Sequence, residues 1–168
     1  MPERATALDH RTHKRDAWYW ASAWWPVLLS IAIVTTTSSV YFGAPYTSHP
    51  LRFLFQAFFG PVSDAEWETI HFVIRKSGHF IGYGFIGLAW LRAWWMTLRR
   101  SLCITNATLA LLGCALTASC DEWHQSYLPD RIGSPWDVLL DCCGALTMLL
   151  LVYLFMRLFR PKWLVRRN

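Results

Sequence analysis

A chain of 168 residues has room for one domain, and 54% apolar content with 11 Trp excludes an ordinary soluble fold of that size in favour of a lipid solvent. The formal charge of +5 does not indicate nucleic acid, because the Lys and Arg lie between and beyond apolar runs and build no continuous basic face. The five cysteines, Cys103, Cys114, Cys120, Cys142 and Cys143, lack metal-knuckle spacing and read as small hydrophobes in apolar segments.

Residues 1–23 form a basic tail, diluted by Glu3, Asp9 and Asp16. A spanning helix needs about 20 mostly apolar residues, and Trp24 to Phe42 supplies the first. Its apolar stretch is too long for a cleaved secretory signal, so it is expected to stay as an anchor. Leu51 to Pro61 is Phe-rich, too short to cross, and closed by Gly60-Pro61, which predicts an interfacial or re-entrant segment. Ser63 and Glu66 make a capping-box pattern that opens an amphipathic helix with Trp67, Ile70 and Ile74 on one face.

Gly78 to Met96 is the second expected span, interrupted by His79 and by Arg92 near its end. Within it Gly78, Gly82, Gly84 and Gly87 remove side-chain bulk, which predicts close helix approach. Leu102 to Cys120 and Trp136 to Phe159 complete the set, and 161–168 is a second basic tail. The expected fold is all-α: an integral membrane bundle of about four transmembrane helices over 24–160, flanked by the two tails. Spacing alone does not license a disulfide between Cys120 and Cys142 or Cys143.

Orientation follows from the distribution of Lys and Arg. With both termini in the cytoplasm, 12 of the 16 basic residues fall on that face, and the other face keeps only Arg52, Arg75, Lys76 and Arg131. The outer segments carry eight of the eleven acids: Asp64, Glu66, Glu68, Asp121, Glu122, Asp130, Asp137 and Asp141.

Three helix ends present polar groups at similar depth on that outer side. Lys76, His79 and Tyr83 form one stripe by i, i+3, i+7 spacing. Asp121, His124 and Gln125 share a face, with Glu122 pointing partly elsewhere. Asp137 and Asp141 lie four residues apart in the last span, where Ser134-Pro135-Trp136-Asp137 also has the order of a cap Ser, a first-turn Pro and an N3 acid. Ionisable groups near hydrocarbon cost about 2.5 to 3.5 kcal/mol each at the bilayer centre, so the cluster needs a compensating interaction. Asp121 and Glu122 sit at the negative end of a helix dipole, and Arg131 could pair with them in a structural salt-bridge network. Asp141, one turn deeper than Asp137, needs a partner such as Lys76 or Arg131.

The run Lys76-x-x-His79-Phe80-x-x-Tyr83, followed by Asp121-Glu122-x-His124-Gln125-x-Tyr127-x-Pro129-x-Arg131-x-Gly133-Ser134-x-x-Asp137-Val138-x-x-Asp141-x-x-Gly144, resembles the VanZ-like family of membrane proteins, named for a teicoplanin-resistance protein. The family pattern more often has Gly at position 130 and Asn at position 141, where this chain carries Asp130 and Asp141. The resemblance implies a multi-pass protein of the bacterial cytoplasmic membrane associated with glycopeptide resistance.

The residue types then support two classes of function. In an enzyme, Glu122 or Asp121 is the candidate base and His79 or His124 the candidate acid. Lys76 and Arg131, with Tyr83, Gln125, Asp137 and Asp141, would hold an anionic lipid-linked envelope precursor. In a non-catalytic binding or scaffold protein the same groove holds a ligand or partner without turnover. Ion transport is disfavoured by the scarcity of buried polar groups in the inner halves of the spans. Lys76 and Arg131 against Asp121, Glu122, Asp137 and Asp141 leave two surplus negative charges, which favours protonated acids or a bound cation. Ligation by His79, His124 and a carboxylate lacks HExxH-type spacing, so no metal ligands and no cofactor are assigned.

Overall fold

A computed structural model of the chain describes residues 17–98, 104–129 and 131–159. Expectations for residues 1–16 and 161–168, for Cys103 and for Asp130 fall outside the described residues; residues 17–23, expected in the tail, open the first helix, which ends at Thr37 and not at Phe42. Among the described residues the fold is all helix: α1 (Ala17–Thr37), one 3-10 turn (Val40–Phe42), α2 (Ala44–Phe59), α3 (Asp64–Leu98), α4 (Ile104–Gln125) and α5 (Pro135–Phe159).

Three of these, α1, α4 and α5, are long and apolar enough to cross a membrane. Their apolar side chains are not spent on a core. Leu150, Leu151, Phe155 and Leu158 of α5 are all more than half exposed, an outward face suited to hydrocarbon and not to water. The expected second span, Gly78 to Met96, is not an independent helix. It is the second half of α3, whose 35 residues extend about 52 Å at 1.5 Å per residue. Four glycines with His79 and Arg92 lower its apolar character, and α3 is not among the three helices that qualify by length and composition.

α3 is the hub and packs against each of the other helices. Its contact with α5 is the tightest, because small residues face one another. A Cβ on Gly87 would stand 2.9 Å from the Ala145 Cβ, and one on Gly144 would overlap the Phe80 carbonyl oxygen. α1 docks on the far end of α3 through aromatic edges: Trp24 meets Trp90 and Trp94 at ring-centroid distances of 5.8 and 5.3 Å. There Arg92 donates to the Ser22 and Ala23 carbonyls at 2.6 and 3.1 Å. Thr35, Thr36 and Thr37 turn their hydroxyls back onto carbonyls four residues earlier, and α1 ends there.

The Leu51 to Pro61 segment is neither separate nor shown to re-enter. It forms the second half of α2, which exposes Phe53, Phe58 and Phe59 by about three quarters each and stops at Gly60, whose φ of 89° admits glycine readily. Arg52 fixes the corner, pairing with Asp64 at 2.7 Å and donating to the Val62 carbonyl at 2.9 Å. The Ser63 and Glu66 capping box forms: the Ser63 hydroxyl and N–H donate to Glu66 Oε2 at 2.7 and 2.9 Å, and these bonds hold the Glu66 carboxyl below its ordinary pKa. The buried face of this part of α3 is Trp67 and His71, not Trp67, Ile70 and Ile74. α2 offers hydroxyls there: Trp67 Nε1 donates to Ser48 Oγ at 2.7 Å, and His71 Nε2 lies 3.2 Å from Thr47 Oγ1. The four described cysteines are unpaired, and only Cys114 is buried.

Candidate functional site

The polar stripes meet at one end of the bundle. α4 continues through Gln125, five residues past the apolar run, so Asp121 and Glu122 project from a formed helix, Asp121 toward Ser38 and Tyr83 and Glu122 toward the start of α5. Both are buried, as are Gln125 and Asp141.

Asp121 is the centre of a neutral-donor network. It accepts from the Ser38 hydroxyl, from Tyr83 Oη at 3.1 Å and from Gln125 Nε2 at 3.1 Å. These bonds tie α1, α3 and α4 together and leave Asp121 well supplied with donors, which fits a structural role better than that of a base. Ser38 was not singled out from the sequence; its one signal there is a hydroxyl at the end of an apolar span.

Lys76 pairs with Asp137, joining α3 to α5, and lies 5.3 Å from the Phe72 ring centre. Asp137 therefore spends its carboxylate on Lys76 and not on a capping box. Ser134 does cap α5, accepting from the Trp136 N–H at 3.2 Å. The Ser134 N–H itself donates to Glu122 Oε2 at 2.8 Å, so α4 supplies the capping carboxylate. Gly133 permits this approach, since a Cβ there would collide with the Glu122 carbonyl oxygen.

Asp141 is fully buried, and its partner is His79, Nδ1 to Oδ1 at 3.3 Å, not Lys76 or Arg131. The His79 ring also stacks on Tyr83, 6.2 Å between centroids. His79, Glu122 and Asp141 each offer a ligand atom, all within 4.8 Å of one another. His124 is exposed and stands apart from this group.

Arg131 does not make the expected carboxylate pair. It donates to Gln125 Oε1 at 3.2 Å and to the Thr37 and Ser39 carbonyls at 3.0 and 3.5 Å, and its Nε has no partner. Burial, with Arg75 as a second cation nearby, draws its pKa below the ordinary guanidinium value. The nearby Asp121 and Glu122 carboxylates act in the opposite direction, without a direct ion pair to Arg131.

A cavity of about 680 Å³ opens between α1 and α3. Trp25, Leu29, Ile33, Phe85 and Ile86 give it apolar walls, and Arg75, His79, Asp121, Gln125 and Arg131 line its polar part. Gly78 and Gly82 form part of one wall, and a Cβ at either meets nothing within 4 Å, so these two glycines leave space where close packing was expected. Arg75, like Ser38, joins the site without having been anticipated. The cavity thus joins apolar walls to a polar end that holds two guanidinium groups, an imidazole and one carboxylate.

In comparison with known families, residues 18–157 match the model described as VanZ/LLP1. No curated protein matches the chain, and no solved structure does.

Proposed function

The chain belongs to the VanZ/LLP1 family, and from that premise we propose that it binds the anionic head of a lipid-linked cell-envelope component at the extracytoplasmic face of the bacterial cytoplasmic membrane, contributing to glycopeptide resistance. In this reading α1, the Gly78 to Met96 part of α3, α4 and α5 span the bilayer, both termini are cytoplasmic, and α2 lies in the outer interface. The bias of Lys and Arg to the opposite end supports that orientation.

The observation that carries the proposal is the cavity between α1 and α3 that runs from apolar walls to an Arg131 guanidinium with no carboxylate partner among the described residues. Apolar walls take a lipid chain, and Arg131 with Arg75 takes a phosphate or carboxylate head. His79 borders the same cavity, so an acid–base group stands beside the bound head should the protein also turn it over.

Two measurements test this. Purified protein in nanodiscs should bind a polyprenyl phosphate in preference to the matching neutral polyprenol. Arg131→Gln should weaken that binding about 10- to 100-fold, the worth of a charged hydrogen bond. Equal affinity for both lipids removes the anion site. Teicoplanin and vancomycin susceptibility of a sensitive host, compared between wild type and equally abundant Arg131→Gln, links the site to physiology. Unchanged susceptibility in every strain separates this chain from the family's namesake role. Glu122→Gln keeps an acceptor for the Ser134 N–H while removing charge and basicity, so lipid binding without resistance in that variant would give Glu122 a role beyond holding the lipid.

A further inference from the structure

We propose that His79, Glu122 and Asp141 bind one divalent transition-metal cation, such as Zn²⁺ or Mn²⁺, between α3, α4 and α5. The inference does not depend on lipid binding in the neighbouring cavity.

Three independent observations converge on it. First, the donor set is one imidazole nitrogen and two carboxylates whose ligand atoms lie within 4.8 Å of one another. Ligands about 2.1 Å from a tetrahedral ion stand about 3.4 Å apart, so rotamer adjustments of about 1 Å close the triad. Second, Glu122 Oε1 and Asp141 Oδ2 are buried without a hydrogen-bond partner, although the other oxygen of each is engaged by the Ser134 N–H and by His79. Asp141 is fully buried and Glu122 is 5% exposed, so each unpartnered oxygen carries an uncompensated desolvation cost that a cation removes.

Third, the two carboxylates are not offset by an ion pair with Lys or Arg at this point. Lys76 is committed to Asp137, and Asp121 is satisfied by Ser38, Tyr83 and Gln125. Arg131 faces Gln125 and backbone carbonyls. Glu122 and Asp141 are left with a single imidazole between them, and among the described residues neither pairs with Lys or Arg. A mixed nitrogen and oxygen set suits a first-row ion better than Ca²⁺ or Mg²⁺, which favour all-oxygen shells.

The position also allows access. His79 lines the large cavity, whereas Glu122 lines a second hollow of about 430 Å³ beside Ser126, Gly133 and Val138. The triad stands on the partition between the two, which leaves room for water or a ligand head to complete the coordination shell.

The test uses the full-length protein in detergent, stripped with chelator and titrated separately with Zn²⁺ and Mn²⁺, with bound metal counted by mass spectrometry. Wild type should retain about one equivalent of at least one of the two ions. His79→Gln, Glu122→Gln and Asp141→Asn should each lower affinity at least about tenfold, the minimum lost even when a mere supporting residue of a metal site is removed. The exposed Glu68→Gln should bind as wild type does. Thermal unfolding with and without metal provides a second readout: the ion should raise the midpoint of wild type and Glu68→Gln but not of the three site variants. Failure of wild type to bind either ion, or wild-type affinity in any of the three variants, overturns the proposal. Lipid affinity measured on the stripped protein keeps this outcome separate from that of the lipid reading.

Discussion

α3 uses glycine in two opposite ways on two of its faces. Toward α5, Gly84 and Gly87 bring backbones together, with Gly144 answering from the other side: the nearest neighbours of a Cβ at Gly84 are the Gly144 carbonyl oxygen at 3.3 Å and the Met148 methyl at 3.4 Å. Toward α1, Gly78 and Gly82 have nothing within 4 Å and border the cavity. The first face fixes where Phe80 and Gly144 meet, and with them the neighbouring His79 and Asp141; the second keeps room beside those groups. A rigid seam and an open groove on one helix let the site be held in place and still be reached.

The largest effect that would break this comparison belongs to Gly144→Ala. The obstructing atom is the Phe80 carbonyl oxygen, part of a helix backbone that cannot swing aside as a side chain does. Overpacking of this kind costs about 1 to 3 kcal/mol. The upper part of that range is expected in thermal or denaturant unfolding in detergent, with loss of the His79–Asp141 contact. An unchanged midpoint would mean that the seam is not close-packed. Gly87→Ala should cost less, about 1 kcal/mol, because its nearest neighbour is the Ala145 methyl at 2.9 Å and a small relative shift of two helices relieves it. A cost equal to that of Gly144→Ala would show that the seam yields as a unit and not residue by residue.

What was legible in the sequence was local. Ser63 and Glu66 are three residues apart, and their capping box forms as the pattern predicts, because both partners lie on the same turn. The stripe of Lys76, His79 and Tyr83 is likewise set by helix geometry. Their partners were not legible: Lys76 finds Asp137 and His79 finds Asp141, more than 60 residues away, through a choice of neighbouring helices that spacing does not encode. The exclusion of His124 shows the same limit within one helix. At about 100° per residue, Asp121, Gln125 and Glu122 span one arc of about 100°, and His124 falls about 60° beyond Asp121 on the outer side. Spacing of i, i+3 put His124 beside Asp121 but could not say which flank the bundle covers. The glycines fail to declare themselves for the same reason. Their common property is a missing side chain, and whether that means contact or space is decided by the helix opposite.

Gly82 sharpens the comparison with the smallest effect on stability. Alanine there meets no atom, and replacing glycine within a helix by alanine removes backbone freedom from the unfolded chain, so Gly82→Ala should leave stability unchanged or raise it by up to about 1 kcal/mol. Gly82→Leu should also fold, since its side chain extends into the cavity and not into α5. The difference is in occupancy: leucine takes up volume between α1 and α3 that a lipid chain needs, and polyprenyl phosphate affinity should fall at least about tenfold, the loss expected when about 1.4 kcal/mol of apolar contact is displaced. A folded Gly82→Leu protein with wild-type lipid affinity would mean that the chain lies elsewhere. A Gly82→Ala protein as destabilised as Gly144→Ala would mean that α1 closes on α3, and the contrast between the two faces would disappear.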